Sequence, residues 1–212
     1  MSEITPSLPK KRAFARGKRG NFENRKDEIL RIAARVFSEL GFRQATLEDV
    51  ADALHVTRPA LYHYARSKDE LVEMCHGIAR EELKQAVAAA LRHQSGREQL
   101  VAFFRRYAEI ICDDFGRCFA LVRPSEYSVE QRERSRLAQR DLDKAVRDMV
   151  RKGERDGSLR SVEPLDVSRA LFAAFNGIPV WYKPGAGRSP GQIAEDFLLL
   201  FLSGLAPAQH RR

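Results

Sequence analysis

The sequence predicts an all-α protein, and three observations predict it. Apolar residues recur at helical spacing along most of the chain after residue 24. Helix-start signals stand ahead of several of these runs, at Thr46-Asp49, Ser67-Glu70, Ser128-Gln131 and Ser189-Gln192. Runs of alternating polarity are short, and the composition is dense in Ala, Leu, Arg and Glu. The expected organisation is a basic arm over 1–23, a small three-helix unit over 24–72 and a larger helical bundle over 73–212, with no internal repeat.

The small unit opens with Ile29, Ile32, Ala33, Val36, Phe37 and Leu40 on one stripe, stopped by Gly41 with Phe42 folding back. Thr46 then caps a helix in which Leu47, Val50, Ala51 and Leu54 form the buried side, and the shorter acid Asp49 makes its capping box a loose one. His55-Val56 turns the chain. Thr57 is placed to cap a very short helix whose first turn tolerates Pro59, because early N–H groups lack intrahelical acceptors. Leu61 faces inward, which leaves Arg58, Ala60, Tyr62 and His63 outside. A helix too short to be stable alone is kept for its surface, here one suited to reading DNA.

Ser67 and Glu70 predict a complete capping box before a long helix from Lys68 to about Arg92, on which the small unit should rest. The bundle continues with a helix after Gly96 bearing Leu100, Phe103, Phe104, Tyr107, Ile110, Ile111 and Phe115 and ended by Gly116. A short apolar piece over 118–122 runs into Pro124. Ser128 starts a charged helix reaching Gly157, whose inner face holds Leu137, Leu142, Ala145, Val146, Met149 and Val150. Pro164 begins another helix that Gly177 and Pro179 should kink before Trp181. In the last helix, after Ser189-Pro190, residues 197–202 are apolar on every side. That calls for a partner chain.

The net charge of +8 is uneven: the first 26 residues hold eight Lys/Arg against Glu3 and Glu23, and the remainder is nearly balanced. Lys10, Lys11, Arg12, Arg16, Lys18 and Arg19 lie among Pro6, Pro9, Gly17 and Gly20 with no helical stripe. A flexible arm along a DNA backbone or minor groove fits this pattern, and so does a solvated tail. Cys75, Cys112 and Cys118 form no C-x-x-C pair and leave an odd count, which points to a reducing cytoplasm. No signal peptide or membrane anchor is expected, since the longest uncharged apolar stretch, near 197–208, is too short for a bilayer.

The five histidines, at 55, 63, 76, 93 and 210, make no metal-ligand spacing, and no nucleophile elbow, phosphate loop or dinucleotide fingerprint occurs. The expectation is therefore no enzyme, no metal and no cofactor.

Taken together, Ile29-Leu30, Ala33-Ala34, Phe37, Gly41-Phe42, Thr46, Val50-Ala51, Val56-Thr57 and Leu61-Tyr62-His63-Tyr64 leading to Lys68 and Leu71 resemble the TetR-like family of one-component transcriptional regulators. The motifs cover about residues 25–75. His55 stands where that family commonly has glycine, and Ala65 where it commonly has phenylalanine. The resemblance implies an N-terminal helix-turn-helix DNA-binding domain followed by a helical ligand-binding and dimerisation domain. It also implies a homodimer on a double-stranded, palindromic operator.

Arg58, at the start of the reading helix, is the candidate for a guanine edge, with Pro59 and Ala60 against a thymine methyl. Resemblance assigns Thr46, Tyr62, His63, Tyr64 and Lys68 to phosphates or helix positioning, and Thr57 is counted with them. An effector must change DNA affinity by binding a second site. Candidate walls are Phe103, Phe104, Tyr107, Phe115, Phe119, Phe172, Phe175, Asn176, Trp181 and Tyr182, although aromatics at this spacing also make plain core.

The stretch from Trp181 to Gly185, with Ser189-Pro190 and the apolar terminal run, is similar to a subgroup that controls lipid, sterol or aromatic-acid breakdown. An acyl-CoA is then the implied small hydrophobic effector, its phosphates meeting Arg117, Arg123 or Lys183. A lipophilic drug-like ligand controlling efflux is the alternative. The last two long helices would pair through Leu171, Phe172, Phe197, Leu198, Phe201 and Leu202. A competing reading is an effector-independent architectural or nucleoid protein, and an enzyme fused to a DNA-binding module lacks a catalytic constellation.

Overall fold

The computed structural model describes residues 20–122, 127–185 and 187–204. Ten helices run through them: α1 (Gly20–Leu40), α2 (Leu47–Ala53), α3 (Arg58–Leu61), α4 (Lys68–Ala90), α5 (Gly96–Cys112), α6 (Asp114–Leu121), α7 (Val129–Arg155), α8 (Pro164–Asn176), α9 (Ile178–Trp181) and α10 (Pro190–Ser203). There is no strand among the described residues. None of their helices is long and apolar enough to cross a membrane. The cationic arm residues Lys10 to Arg19, and Arg123, lie outside the described residues.

Short-range chemistry sets most boundaries. Thr46-Asp49, Ser95-Glu98, Ser128-Gln131 and Ser189-Gln192 all form reciprocal capping boxes. Two start signals differ from expectation. Ser67 accepts from the Glu70 N–H, but the Glu70 carboxylate turns to the Arg66 N–H at 2.6 Å. Thr57 holds the extended cap backbone without a side-chain cap bond. Helix α1 begins at Gly20 rather than Asn24, because a helix nucleated by the Ile29–Leu40 stripe extends at one hydrogen bond per added residue.

The α5 boundary also differs. The helix ends at Cys112, and Asp113, in extended conformation, starts α6 by accepting the Gly116 N–H at 2.7 Å. Gly116 therefore does not terminate a helix. A Cβ there would stand 1.8 Å from the Ile110 carbonyl oxygen, so only glycine lets α6 fold back against the end of α5.

Two hydrophobic cores result. The head core gathers α1, α2, α3 and the first half of α4, together with Phe115, Cys118, Val122 and Tyr127. The body core surrounds α5, whose Phe103, Phe104, Ile110 and Ile111 are fully buried among α4, α7, α8, α9 and α10. The head thus rests on α6 as well as on α4. Arg35 Nε donates to Asp114 Oδ1 at 2.7 Å, and the Arg31 guanidinium lies 4.8 Å from the Phe115 ring centroid. Phe119, on α6, packs against both cores. The start of α7 is tied to the start of α4 by Gln131 Nε2 donating to the Asp69 carbonyl at 3.1 Å.

Candidate nucleic-acid interface and internal cavity

On the head, Asp49 Oδ2 accepts from both the N–H and the hydroxyl of Thr46 at 2.7 Å, and these bonds hold its carboxyl below the usual range. The Thr46 hydroxyl is committed to building α2. The turn that follows requires a left-handed residue, and His55 takes it with φ +53°. Its backbone is locked by His55 N–H to Asp52 and Val56 N–H to Ala51, both at 3.0 Å. This turn presents α3 with Thr57, Arg58, Pro59, Tyr62 and His63 exposed, Ala60 half-buried, and Leu61 anchoring the underside. Tyr64 is half-buried against the head core.

Arg58 is paired with Glu48 of α2, and its guanidinium lies 5.6 Å from the Tyr62 ring centroid. Lys68, assigned by resemblance to a phosphate or to helix positioning, is engaged within the head. Its ammonium donates to the carbonyls of Phe42 and Ala45 at 2.6 and 2.9 Å and sits 4.5 Å from the Phe42 ring centroid. Within this fold Lys68 braces the loop between α1 and α2.

In the body, a cavity of about 440 Å³ lies between α5, α6, α7 and α8, within the range of small-molecule sites. One side is apolar, from Tyr107, Ile111, Phe119, Ala120, Val122, Leu142 and Phe172. Tyr127, Ser135, Gln139, Asp143, Arg169 and Asn176 complete the wall with polar groups. Tyr107 donates its hydroxyl to Asn176 Oδ1 at 2.6 Å, and burial pushes its phenol pKa upward, keeping it protonated. Asp143 accepts from Ser168 Oγ and is paired with Arg147 at 2.8 Å. Ser135 Oγ is buried with no partner among the described residues. Ser135 is deep, whereas Gln139, Arg169 and Asn176 are exposed and mark the mouth. A second hollow of about 700 Å³ beside α8 and α10 is mainly aliphatic, with Leu171, Leu198, Phe201 and Leu202 in its wall.

Behind the first cavity sits His76 of α4, 1% exposed, with the rings of Phe119 and Tyr127 edge-on at 5.4 and 5.3 Å. Its Nε2 is 3.7 Å from Cys118 Sγ. Burial, helped by the positive charge of Arg80, pushes its pKa down to about 4.

Of the expected walls, Tyr107, Phe119, Phe172 and Asn176 line the cavity. Phe103, Phe104 and Phe175 do not: they are fully buried and pack on one another and on Phe172 and Phe197, because rings on the inner face of a central helix meet neighbours rather than space. Phe115 lies in the head core under α1, and Trp181 is 51% exposed on α9. Tyr182, Arg117 and Lys183 stand outside the lining.

Sequence reasoning missed the polar wall apart from Asn176. It carried the α7 stripe through Leu137, which is 46% exposed. Counting toward the N-terminus from Val146 by helical spacing reaches Leu142, Gln139, Ser135 and Gln131 instead, and polar residues on an inward stripe are the signal of a wet or liganded space.

The expected pairing residues also divide. Leu171 and Leu198 are buried within the chain, Phe172 faces the cavity, and Phe197 and Leu202 are half-buried. On α9 and α10 the exposed large apolar side chains are Val180 and Trp181, and Leu199, Leu200 and Phe201.

Comparison with known proteins decides the family. The description "Bacterial regulatory proteins, tetR family" matches residues 29–75, and "Tetracyclin repressor-like, C-terminal domain" matches residues 93–205, more than half the chain. This chain belongs to the TetR family. The HTH-type transcriptional repressor KstR2 of Mycolicibacterium smegmatis is 28% identical over 204 residues, covering 88% of this chain and 93% of the relative. Among solved structures, the TetR family regulator PfmR of Thermus thermophilus matches with a TM-score of 0.78 and 27% identity, over 85% of this chain and all of that one. AibR in complex with isovaleryl coenzyme A and operator DNA shares the fold, with a TM-score of 0.74 at 18% identity over 84% and 98% of the two chains. The chain is thus a DNA-binding transcriptional regulator of the TetR family.

Proposed function

We propose that this TetR-family chain is a homodimeric repressor that leaves a palindromic operator when a small hydrophobic ligand enters the α5–α8 cavity. The observation that carries the reading is the position of α6. Its Phe119 and Ala120 form cavity wall, while its Asp114 and Phe115 grip α1 of the head. A ligand that shifts α6 therefore acts on the head directly, which gives the differential binding that release requires.

An acyl-CoA suits the cavity in part. About 440 Å³ holds an acyl group, and the exposed Arg169 at the mouth offers an anion partner for the phosphates outside. AibR offers a precedent in the same fold, with isovaleryl coenzyme A as its ligand. The exposed apolar side chains Val180 and Trp181 of α9 and Leu199, Leu200 and Phe201 of α10 are surface for a second copy to cover. The three buried free thiols suit a reducing cytoplasm.

The test begins with genomic fragments selected by the purified full chain. Footprinting should find a two-fold site, and an acyl-CoA or free hydrophobic acid from a panel should release it. Arg58→Ala should lose about 1–3 kcal/mol on that site and almost nothing on random duplex. Equal losses on both would remove Arg58 as a base reader. A protein that stays monomeric in sedimentation while binding DNA would overturn the dimer.

A further inference from the structure

Glu48 stands in the first turn of α2 and Arg58 opens α3, so their ion pair spans the turn between the two helices of the DNA-reading head. Both side chains are about half exposed, at 51% and 52%. Such a pair adds little to folding. Glu48 does not serve the cap of α2 either, since Thr46 and Asp49 complete that box. What the pair does is restrict the guanidinium: Glu48 Oε1 holds Nη1 while the Tyr62 ring lies beside the plane at 5.6 Å. The side edge formed by Nε and Nη2 remains open, and a two-donor edge of that kind matches the O6 and N7 acceptors of guanine.

We infer that Glu48 is a specificity-determining residue of the DNA-reading surface, orienting Arg58 toward a guanine edge and opposing DNA that offers none. The inference rests on the reading of α3 as the base-reading element. Two physical effects support it. An arginine held on one side by a carboxylate and on its face by a ring has lost rotamer freedom before DNA arrives, so a matched base is bound with less ordering cost. The carboxylate also brings a negative charge toward the phosphates. Every sequence meets that repulsion, but only a base that satisfies the open edge of Arg58 offsets it. Discrimination rises while affinity for random DNA falls.

The experiment selects binding sites from a randomised 30-base-pair duplex library (about three helical turns), using the full chain as wild type, Glu48→Gln, Glu48→Ala and Arg58→Ala. Wild type should enrich a two-fold site with guanine at one position of each half. Both Glu48 variants should bind random duplex about three- to tenfold more tightly at equal salt and lose the preference at that guanine, with other positions kept. Arg58→Ala should lose the same position without the gain on random duplex. Unchanged helical circular dichroism and thermal midpoint show that the Glu48 variants fold. If both Glu48 variants keep the guanine and the wild-type affinity for random duplex while Arg58→Ala loses the guanine, the role of Glu48 is overturned and base reading by Arg58 stands. If wild type enriches no two-fold site, the underlying reading falls as well.

Discussion

The α3 surface of the head and the cavity of the body are built on opposite terms. Around α3, the exposed side chains are displayed by a four-residue helix whose position is set by neighbouring caps, one left-handed residue and one buried leucine. The cavity depends on four helices that fail to close completely, and its polar groups come from α7, from α8 and from Tyr127 just ahead of α7. A surface site is governed by what the local backbone points outward. An internal site is governed by what distant packing leaves unfilled. The same aromatic spacing can therefore produce core at one position of α5 and cavity wall at the next on the same face: Phe104 is fully buried among rings, while Tyr107, less than one turn on and in ring contact with it, borders space.

The largest test of this contrast is Phe104→Ala. It should destabilise the chain by about 3–5 kcal/mol, read as a lower urea midpoint, and leave operator affinity of the folded fraction unchanged. A loss of ligand binding without a loss of stability would move Phe104 back to the cavity. Gly116→Ala comes next. The methyl would collide with the Ile110 carbonyl, costing about 1–3 kcal/mol or more, and because α6 joins cavity to head it should also weaken DNA binding. Lys68→Met follows, with a stability loss of about 1.5 kcal/mol, from two carbonyls that lose a charged donor. An unchanged urea midpoint with uniformly weaker DNA binding would restore Lys68 to a phosphate role.

The last test is a pH dependence. An unfolded His76 takes up its proton near the usual 6.5, whereas the folded one resists down to about 4. The unfolded state binds more protons in between, so this contribution to stability is full above 6.5 and is lost as pH falls toward 4. The urea midpoint should drop between pH 7.5 and pH 5, and His76→Gln should flatten that drop. Equal slopes in the two proteins would mean that other groups carry it.

Much of the head was legible because its signals are short-range. Thr46 with Asp49, the turn at His55 and the Pro59 position are read within a few residues of the helix they start or end. Even here, reach limited the reading: resemblance offered Lys68 a phosphate or a positioning role, and its carbonyl partners Phe42 and Ala45, more than twenty residues earlier, lie beyond any local signal. The Asp113 cap was a local signal overlooked beside a more conspicuous glycine at 116. In the body, the helices were legible and their contents were not. Leu171, Leu198 and Phe172 read as one interface stripe, yet the first two are buried within the chain and the third faces the cavity.

By itself, the sequence determined the all-helical architecture, the start of most helices and the identity of the outward residues on α3. These depend on hydrogen bonds and side-chain spacing within one or two helical turns. Tertiary structure alone decided that α6 underlies the head, that Ser135 and Arg169 share one cavity, and that Glu48 meets Arg58. Such contacts follow from how whole helices settle against each other, and no local periodicity encodes where that packing leaves a gap or brings two charges together.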